Sequence, residues 1–423
     1  MIKRLVGSNF IILIVLILFF AVACVGSDDV VEVIPGVKSW VLPATPNGLE
    51  PTQVWFSIGG APDGGIYIGA SDHTTNSALY RIDVATEKLE LVGDAKSASR
   101  AANNWLENET AEKFHMRPIY YKGRVYVATT DYSDLNDRYV QKRGFHWYAY
   151  DTATKQFLDL SATEPGGVAG KHASIMATAL DEPRGLLYGL ETPRGHLFQY
   201  DIAKGSTKDL GRPDFLDSKY YNAGRYIWCD NEGRVYFTLS RVDTVMCWDP
   251  KTGFSTKKDW ILRSKYSSDK NIRIGQWTKD GQRCYVADYE ANFYLFDNKD
   301  KSFIWIGQGE GESSHFSRGR AFRIRVLNVT DDESTLYFAN DDSEQFSLFE
   351  FDLEIKETRR LCYLSQIDSR LGDHAFYNRA GNDSWDSKGR FYIASFGQEL
   401  GGETTEVIVT RIDPEAVKEY LNK

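Results

Sequence analysis

The chain has 423 residues, 42 % hydrophobic and 13 % aromatic, which is enough to bury one large core, and its 12 prolines argue against a linker-rich protein. With 50 Lys and Arg against 59 Asp and Glu the formal charge is -9, which speaks against a nucleic-acid binder, since that would need a broad basic field. An anionic ligand must therefore be met by a local basic cluster.

Lys3 and Arg4 precede an apolar run, 10–25, that is short for a bilayer span and reads as a secretory signal over residues 1–23. A short transmembrane anchor is the alternative. Ala21-Val22-Ala23-Cys24 resembles a bacterial lipobox, so Cys24 is expected to carry lipid and residues 24–36 to tether the domain that follows. The expected location is the bacterial cell envelope, with membrane contact through the lipid anchor alone.

Beyond the tether two phrases recur. A tyrosine in a short apolar run, mostly after a turn glycine, occurs at Tyr67, Tyr126, Tyr188, Tyr236, Tyr285, Tyr337 and Tyr392. An acidic turn residue closing an aromatic or β-branched run occurs at Asp83, Asp151, Asp201, Asp249, Asp297, Asp352 and Asp413. Seven copies at a spacing near fifty residues, with several strands and no helical period in each, predict an all-β, seven-bladed β-propeller of four-stranded antiparallel blades.

The repeats run over about 52–94, 115–161, 172–211, 225–258, 272–307, 320–362 and 378–413 within a single domain, 37–423, that is expected to be monomeric. The last repeat lacks a fourth strand, because 414–421 reads as a short helix. The isolated strand 37–42 is expected to complete it and close the ring, which removes two exposed sheet edges. Cys229, Cys247, Cys284 and Cys362 show no Cys-x-x-Cys spacing and read as small apolar residues of the sheets. The inserts 95–114 and 263–271 are long for turns and read as binding loops.

In a four-stranded blade, the connection into the innermost strand and the loop between the second and third strands lie on one face, around the mouth of the central channel. All seven histidines fall in those segments: His73, His146 and His196 in the loops, and His115, His172, His315 and His374 at the innermost strands. His73, His315 and His374 read as solvated loop residues. His115, His146, His172 and His196 come from neighbouring blades and are expected to converge. The fourth repeat has no histidine and places Arg225 and Arg241 at the matching positions. Tyr188 occupies the repeated tyrosine position and reads as core.

The phrases Phe114-His115-Met116-Arg117-Pro118, Gly144-Phe145-His146-Trp147-Tyr148-Ala149-Tyr150-Asp151 and Gly185-Leu186-Leu187-Tyr188-Gly189-Leu190-Glu191-Thr192-Pro193-Arg194-Gly195-His196-Leu197-Phe198 resemble those of seven-bladed propeller polysaccharide lyases, ulvan lyases above all and oligogalacturonate lyases more distantly. The resemblance covers the second to fourth repeats. It implies β-elimination at a uronic acid, in which a cation neutralises the sugar carboxylate and a Tyr or His removes the C5 proton. By that resemblance His115 and His146 match the paired histidines, Arg241 the neutralising arginine, and Tyr221 or Tyr226 the tyrosine. The insertion 131–143 spaces the histidine pair more widely than in the family. Arg225, His172 and His196 would line subsites, with Trp147 or Trp105 as an aromatic platform. Ulvan lyases also imply a structural metal ion; no ligand set is assigned to one here, and no other cofactor.

The reading is thus a lyase acting on an anionic, uronate-containing polysaccharide. The alternatives are a non-catalytic propeller that binds a glycan or protein, since fold alone never establishes activity, and a metal-dependent oligogalacturonate lyase, which needs several histidines at ligand distance.

Overall fold

The computed structural model describes residues 31–32, 34–107, 109–130, 143–217, 221–264, 270–309, 324–340, 347–372, 378–396 and 406–423. The expected signal, Cys24, most of the tether, His315 and His374 lie outside the described residues. No described helix is long and apolar enough to cross a membrane.

Each recurring aspartate has a local job. Asp83, Asp151, Asp201, Asp249, Asp297 and Asp352 each end the third strand of a repeat, and each side chain accepts backbone N–H groups two or three residues on. The outer hairpin then closes through a left-handed residue, Glu87, Lys155, Gly205, Gly253, Lys301 or Lys356. This is an Asx-type turn, in which a short acidic side chain replaces a backbone acceptor. The recurring tyrosines are core, between 0 % and 4 % exposed. Several hydroxyls are bonded to carboxylates, Tyr67 to Asp63, Tyr236 to Asp230 and Tyr392 to Asp386 among them.

These hairpins assemble into antiparallel sheets in chain order. Four sheets have four strands each, starting at Ile58–Gly60, Ser174–Asp181, Trp228–Cys229 and Ile272–Trp277. A five-stranded sheet holds Arg124–Thr130 and Trp147–Asp151. The last two repeats merge into one nine-stranded sheet, because Ile324–Val329 and Asn378–Asn382 pair in parallel at Val326↔Gly381 and Leu327↔Asn382. First strands of several neighbouring repeats lie against one another, Ser174–Asp181 against Trp228–Cys229 and Ile272–Trp277 against Ile324–Val329 among them. Side-chain amides staple them: Gln276 accepts from Val329 N at 2.7 Å and donates to its carbonyl at 3.2 Å, while Asn328 accepts from Ser384 N at 2.8 Å.

The N-terminal strand Val37–Val41 pairs antiparallel with Ile408–Ile412 in the register Val37↔Ile412 to Val41↔Ile408. Trp40 is 1 % exposed and stacks 6.2 Å from Tyr392. Its indole donates to the carbonyl of Glu87, whose carboxylate also takes Lys38 and Arg411. First and last repeats are therefore tied through one outer hairpin. The short C-terminal helix is present as Pro414–Leu421, capped by Asp413.

Two expectations change. The insert 95–114 is not an open loop: it begins with the helix Ala95–Ala101, whose N-cap Asp94 accepts from Ser97 N. Trp147, expected as a platform, is 1 % exposed and packs between Phe145 and Tyr200, because it begins a strand whose side chains fill the interface with the next repeat. All four described cysteines are buried free thiols.

If the closing strand carries the ring, Trp40→Ala will cost about 3–5 kcal/mol, the range for emptying a buried aromatic site. Urea unfolding at neutral pH measures this; a loss under about 1 kcal/mol would mean that the strand is an appendage.

Candidate functional site

The innermost strands carry a repeat that aligning the blades reveals. Arg225, Arg273 and Arg325 stand at equivalent positions in three successive repeats, and Arg379 has the same place in Asn378–Asn382. The pairing register shifts between Ile272 and Ile274 and again between Ile324 and Val326, so Arg273 and Arg325 are each the extra residue of a β-bulge. Met176 holds the same place between Ile175 and Ala177. A bulge inserts a residue without a ladder partner and re-aims its side chain.

These side chains converge on His115. The imidazole is 3 % exposed, and burial first, then Arg225, Lys113, Arg273 and Arg325, hold it well below its ordinary value of 6.5. Its Nδ1 lies 3.0 Å from the carbonyl of Met176. A carbonyl can only accept, so Nδ1 carries the proton and Nε2 is the basic nitrogen of a neutral ring. Lys113, Arg273 and Arg325 are themselves 4 %, 6 % and 2 % exposed.

Aromatic rings hold the cations in place. The half-buried Trp55 lies parallel to His115 with centroids 6.1 Å apart, and Phe56 is 5.5 Å from the same ring. Lys113 and Arg325 each sit 4.9 Å from the Trp55 centroid, and Arg273 lies 5.4 Å from Phe56 and 4.9 Å from Tyr289. Such stacking offsets part of the desolvation of a buried cation. His73, at φ 60° in the adjacent loop, places Nε2 3.0 Å from Lys113 Nζ. Two residues beyond His115, Arg117 pairs with Asp383 at 2.7 Å and donates to Gly60 O. A Cβ on Gly59 would meet the Arg117 side chain at 2.5 Å, which explains a glycine there.

The structure separates His146 from this cluster. Its Nδ1 is 3.0 Å from Asp159 and its Nε2 3.0 Å from Glu109, and Arg143 also bonds Glu109. Ser99 and Asn104 donate to the same Asp159 oxygen. Burial opposes a charge on the ring, but the two carboxylates outweigh it and lift His146 to about 9. His146 is thus an imidazolium locked between two acids, and His115 and His146 have separate sets of neighbours.

The remaining expected residues are dispersed. Arg241 is exposed on a left-handed turn and is not among the cations acting most strongly on His115. Tyr221 donates to Asp217 at 2.6 Å. Tyr226 packs where a Cβ on Gly275 would touch its ring at 2.4 Å, its hydroxyl 3.6 Å from Cys284 Sγ, and burial pushes its phenol well above the ordinary value. His196 bonds Asp209 of the outermost strand at 3.0 Å, and the His172 carbonyl takes Arg194. Arg225 alone of the expected subsite residues joins His115, its guanidinium fixed by Asn222 at 2.8 Å.

Among the described residues no group of three or more His, Cys, Asp and Glu could hold a metal ion. Glu109 and Asp159 cannot share one with His146, because they occupy opposite ring nitrogens. The described residues do not fit the structural metal of ulvan lyases.

No protein-family model and no curated protein matches the chain. A streptogramin B lyase structure superposes with a TM-score of 0.55 at 8 % identity, over 89 % of this chain and 97 % of that one. A chain of the mitotic checkpoint complex gives 0.53 at 8 % identity, over 98 % of both chains. The fold is a β-propeller. At such identity the likeness reaches the fold and stops short of chemistry.

The His146 network makes stability depend on pH. Because the folded pKa lies above the unfolded value of 6.5, the contribution is fully present below pH 6.5 and is lost as pH rises through about 9. The loss should be on the order of 3 kcal/mol in urea unfolding, and His146→Gln should flatten it. Parallel pH curves for the two proteins would contradict the locked imidazolium.

Proposed function

We propose that this protein is a seven-bladed propeller lyase of the bacterial cell envelope that cleaves an anionic, uronate-containing polysaccharide by β-elimination. The observation that carries the reading is the convergence of Arg225, Arg273, Arg325 and Lys113 on a buried, neutral His115 whose Nε2 is unprotonated. Elimination needs those two elements together. When the C5–H bond breaks, its electron pair forms the C4=C5 double bond, the C4–O bond breaks, and the leaving oxygen takes up a proton. Charge grows on the carboxylate as the C5 proton leaves, so cations fixed there stabilise the transition state more than the ground state.

In this reading the arginines replace Arg241 as neutralisers, and Arg241 serves on the rim. His115 becomes the base. Tyr221 and Tyr226 are each held by other partners, which favours His115 over either tyrosine. Neutrality of His115 supports the role, since a protonated ring removes no proton.

One observation favours a second reading, a propeller that binds an acidic glycan without cleaving it: the cations stack on Trp55 and Phe56 in the manner of a recognition site. Purified protein incubated with ulvan, pectate and other uronate polymers separates the two, read by the ultraviolet absorbance of unsaturated uronate. We expect product from wild type, a fall of at least about 10²-fold in turnover for His115→Gln with binding largely kept, and a smaller effect for Arg241→Ala than for Arg325→Gln. Binding without product on any polymer would leave the non-catalytic reading.

For placement, the lipobox-like Ala21 to Cys24 supports a lipid anchor. Cys24→Ala should release the protein from membranes, and unchanged retention would point to a spanning segment instead.

A further inference from the structure

The innermost strand of the second repeat is broken at His115. Lys113–Phe114 pairs with Thr130 and Thr129, and Ile119–Tyr121 pairs with Tyr126 to Arg124, so four residues, 115–118, stand opposite only Val127 and Ala128. Pro118 has no N–H to give to a ladder. A stretch with surplus residues bows out of its sheet and takes its direction from what holds its ends. On the far side Arg117 is pinned by Asp383 at 2.7 Å and by Gly60 O at 3.2 Å.

On the near side the hold is Glu109. Its side chain is 7 % exposed; one oxygen meets His146 Nε2 at 3.0 Å and Arg143 Nε at 3.1 Å, and the other takes Arg143 Nη2 at 2.9 Å and Leu106 N at 3.0 Å. Arg143 Nη2 also lies 3.3 Å from His146 Nε2, so two cations meet on one carboxylate. Asp159 on the opposite ring nitrogen and Tyr148, stacked 5.8 Å away, complete the groups facing the imidazolium. Thr129 joins the same two places again: it is the ladder partner of Phe114, its hydroxyl accepts from His146 N at 2.9 Å, and its own N–H donates to His146 O at 3.1 Å.

We propose that Glu109 is a positioning residue for His115: by clasping His146 and Arg143 it fixes the chain at the near end of the break, and so sets where Lys113 and the His115 ring point. This rests on the reading of His115 as the base. Glu109 acts through the chain 110–114 and not by touching a substrate. Without its charge two cations face each other at 3.3 Å, and the segment that carried the carboxylate is no longer drawn to them. The fixed cation at His146 is then the footing of the neutral ring at His115.

Glu109→Gln and Glu109→Asp test the proposal, each followed by turnover on ulvan and pectate, by nitrogen NMR of the His115 ring and by urea unfolding. Glu109→Gln keeps the shape and removes the charge; kcat should fall about 10- to 100-fold with KM within about twofold, because a misplaced base costs turnover and not binding. The His115 ring signals should shift as well, although Glu109 is not among the groups acting most strongly on that ring. Glu109→Asp, which keeps the charge at a shorter reach, should fall between, and it decides if Glu109→Gln does not fold. Lower stability with kcat and the His115 signals unchanged overturns the proposal and leaves Glu109 as a tie for the insert alone. If wild type makes no product, the lyase reading falls, and the His115 signals of the two variants still decide whether Glu109 positions that ring.

Discussion

Ring closure is the constraint on which everything at the channel depends. Side chains from separate repeats can converge only if the repeats are bent round a common axis, and an open array would leave its first and last sheets with bare edges. Val37–Val41 supplies the missing strand of the last repeat from the opposite end of the chain. Glu87 then binds Lys38 and Arg411, residues of the closing pair, from a hairpin of the first repeat. The closure is thus a sheet ladder, a buried indole and a charge clip together, and no local segment could make it alone.

Within that frame the channel does something that a stability-driven core would avoid: it brings like charges together out of water. Isolated buried charge is costly, and cations tolerate burial best where aromatic faces and backbone oxygens surround them. Trp55, Phe56 and Tyr289 supply those faces, and the Met176 carbonyl fixes the His115 tautomer. The bulges at Arg273 and Arg325 supply the aim. The contrast with His146 is instructive. The same residue type, two strands away in the sheet, meets two carboxylates and becomes a fixed cation, whereas His115 meets cations and stays neutral. Environment alone makes one a fixed cation and the other a neutral ring.

Much of the architecture was legible because it is written in local chemistry. An aspartate that caps its own turn and a tyrosine after a turn glycine recur in sequence for the same reason that they recur in space, and the strand left over at 37 pointed to its partner. The site was less legible. His115 and Arg225 stand out in the sequence and Arg273 and Arg325 do not, although the innermost strands place them in register with Arg225. Their direction depends on a one-residue register shift that no pattern of apolar residues reports. His146 was paired with His115 because both belong to one repeat; its true partner Glu109 comes from the insert 95–114, a contact across 37 residues that burial and charge decide together. By residue type Trp147 suits a platform, but its neighbours Phe145 and Tyr200 make it core.

The central claim is that a neutral, cation-ringed His115 forms the ligand site of this propeller. Nitrogen NMR of the histidine side chains tests it most directly, because protonation state, tautomer and ligand contact are read at each ring. At neutral pH the account predicts His115 as the neutral Nδ1–H tautomer and His146 as doubly protonated, with an acidic oligosaccharide shifting His115 and leaving His146 unmoved. A His115 that is already protonated, or that no uronate oligosaccharide perturbs, would contradict it.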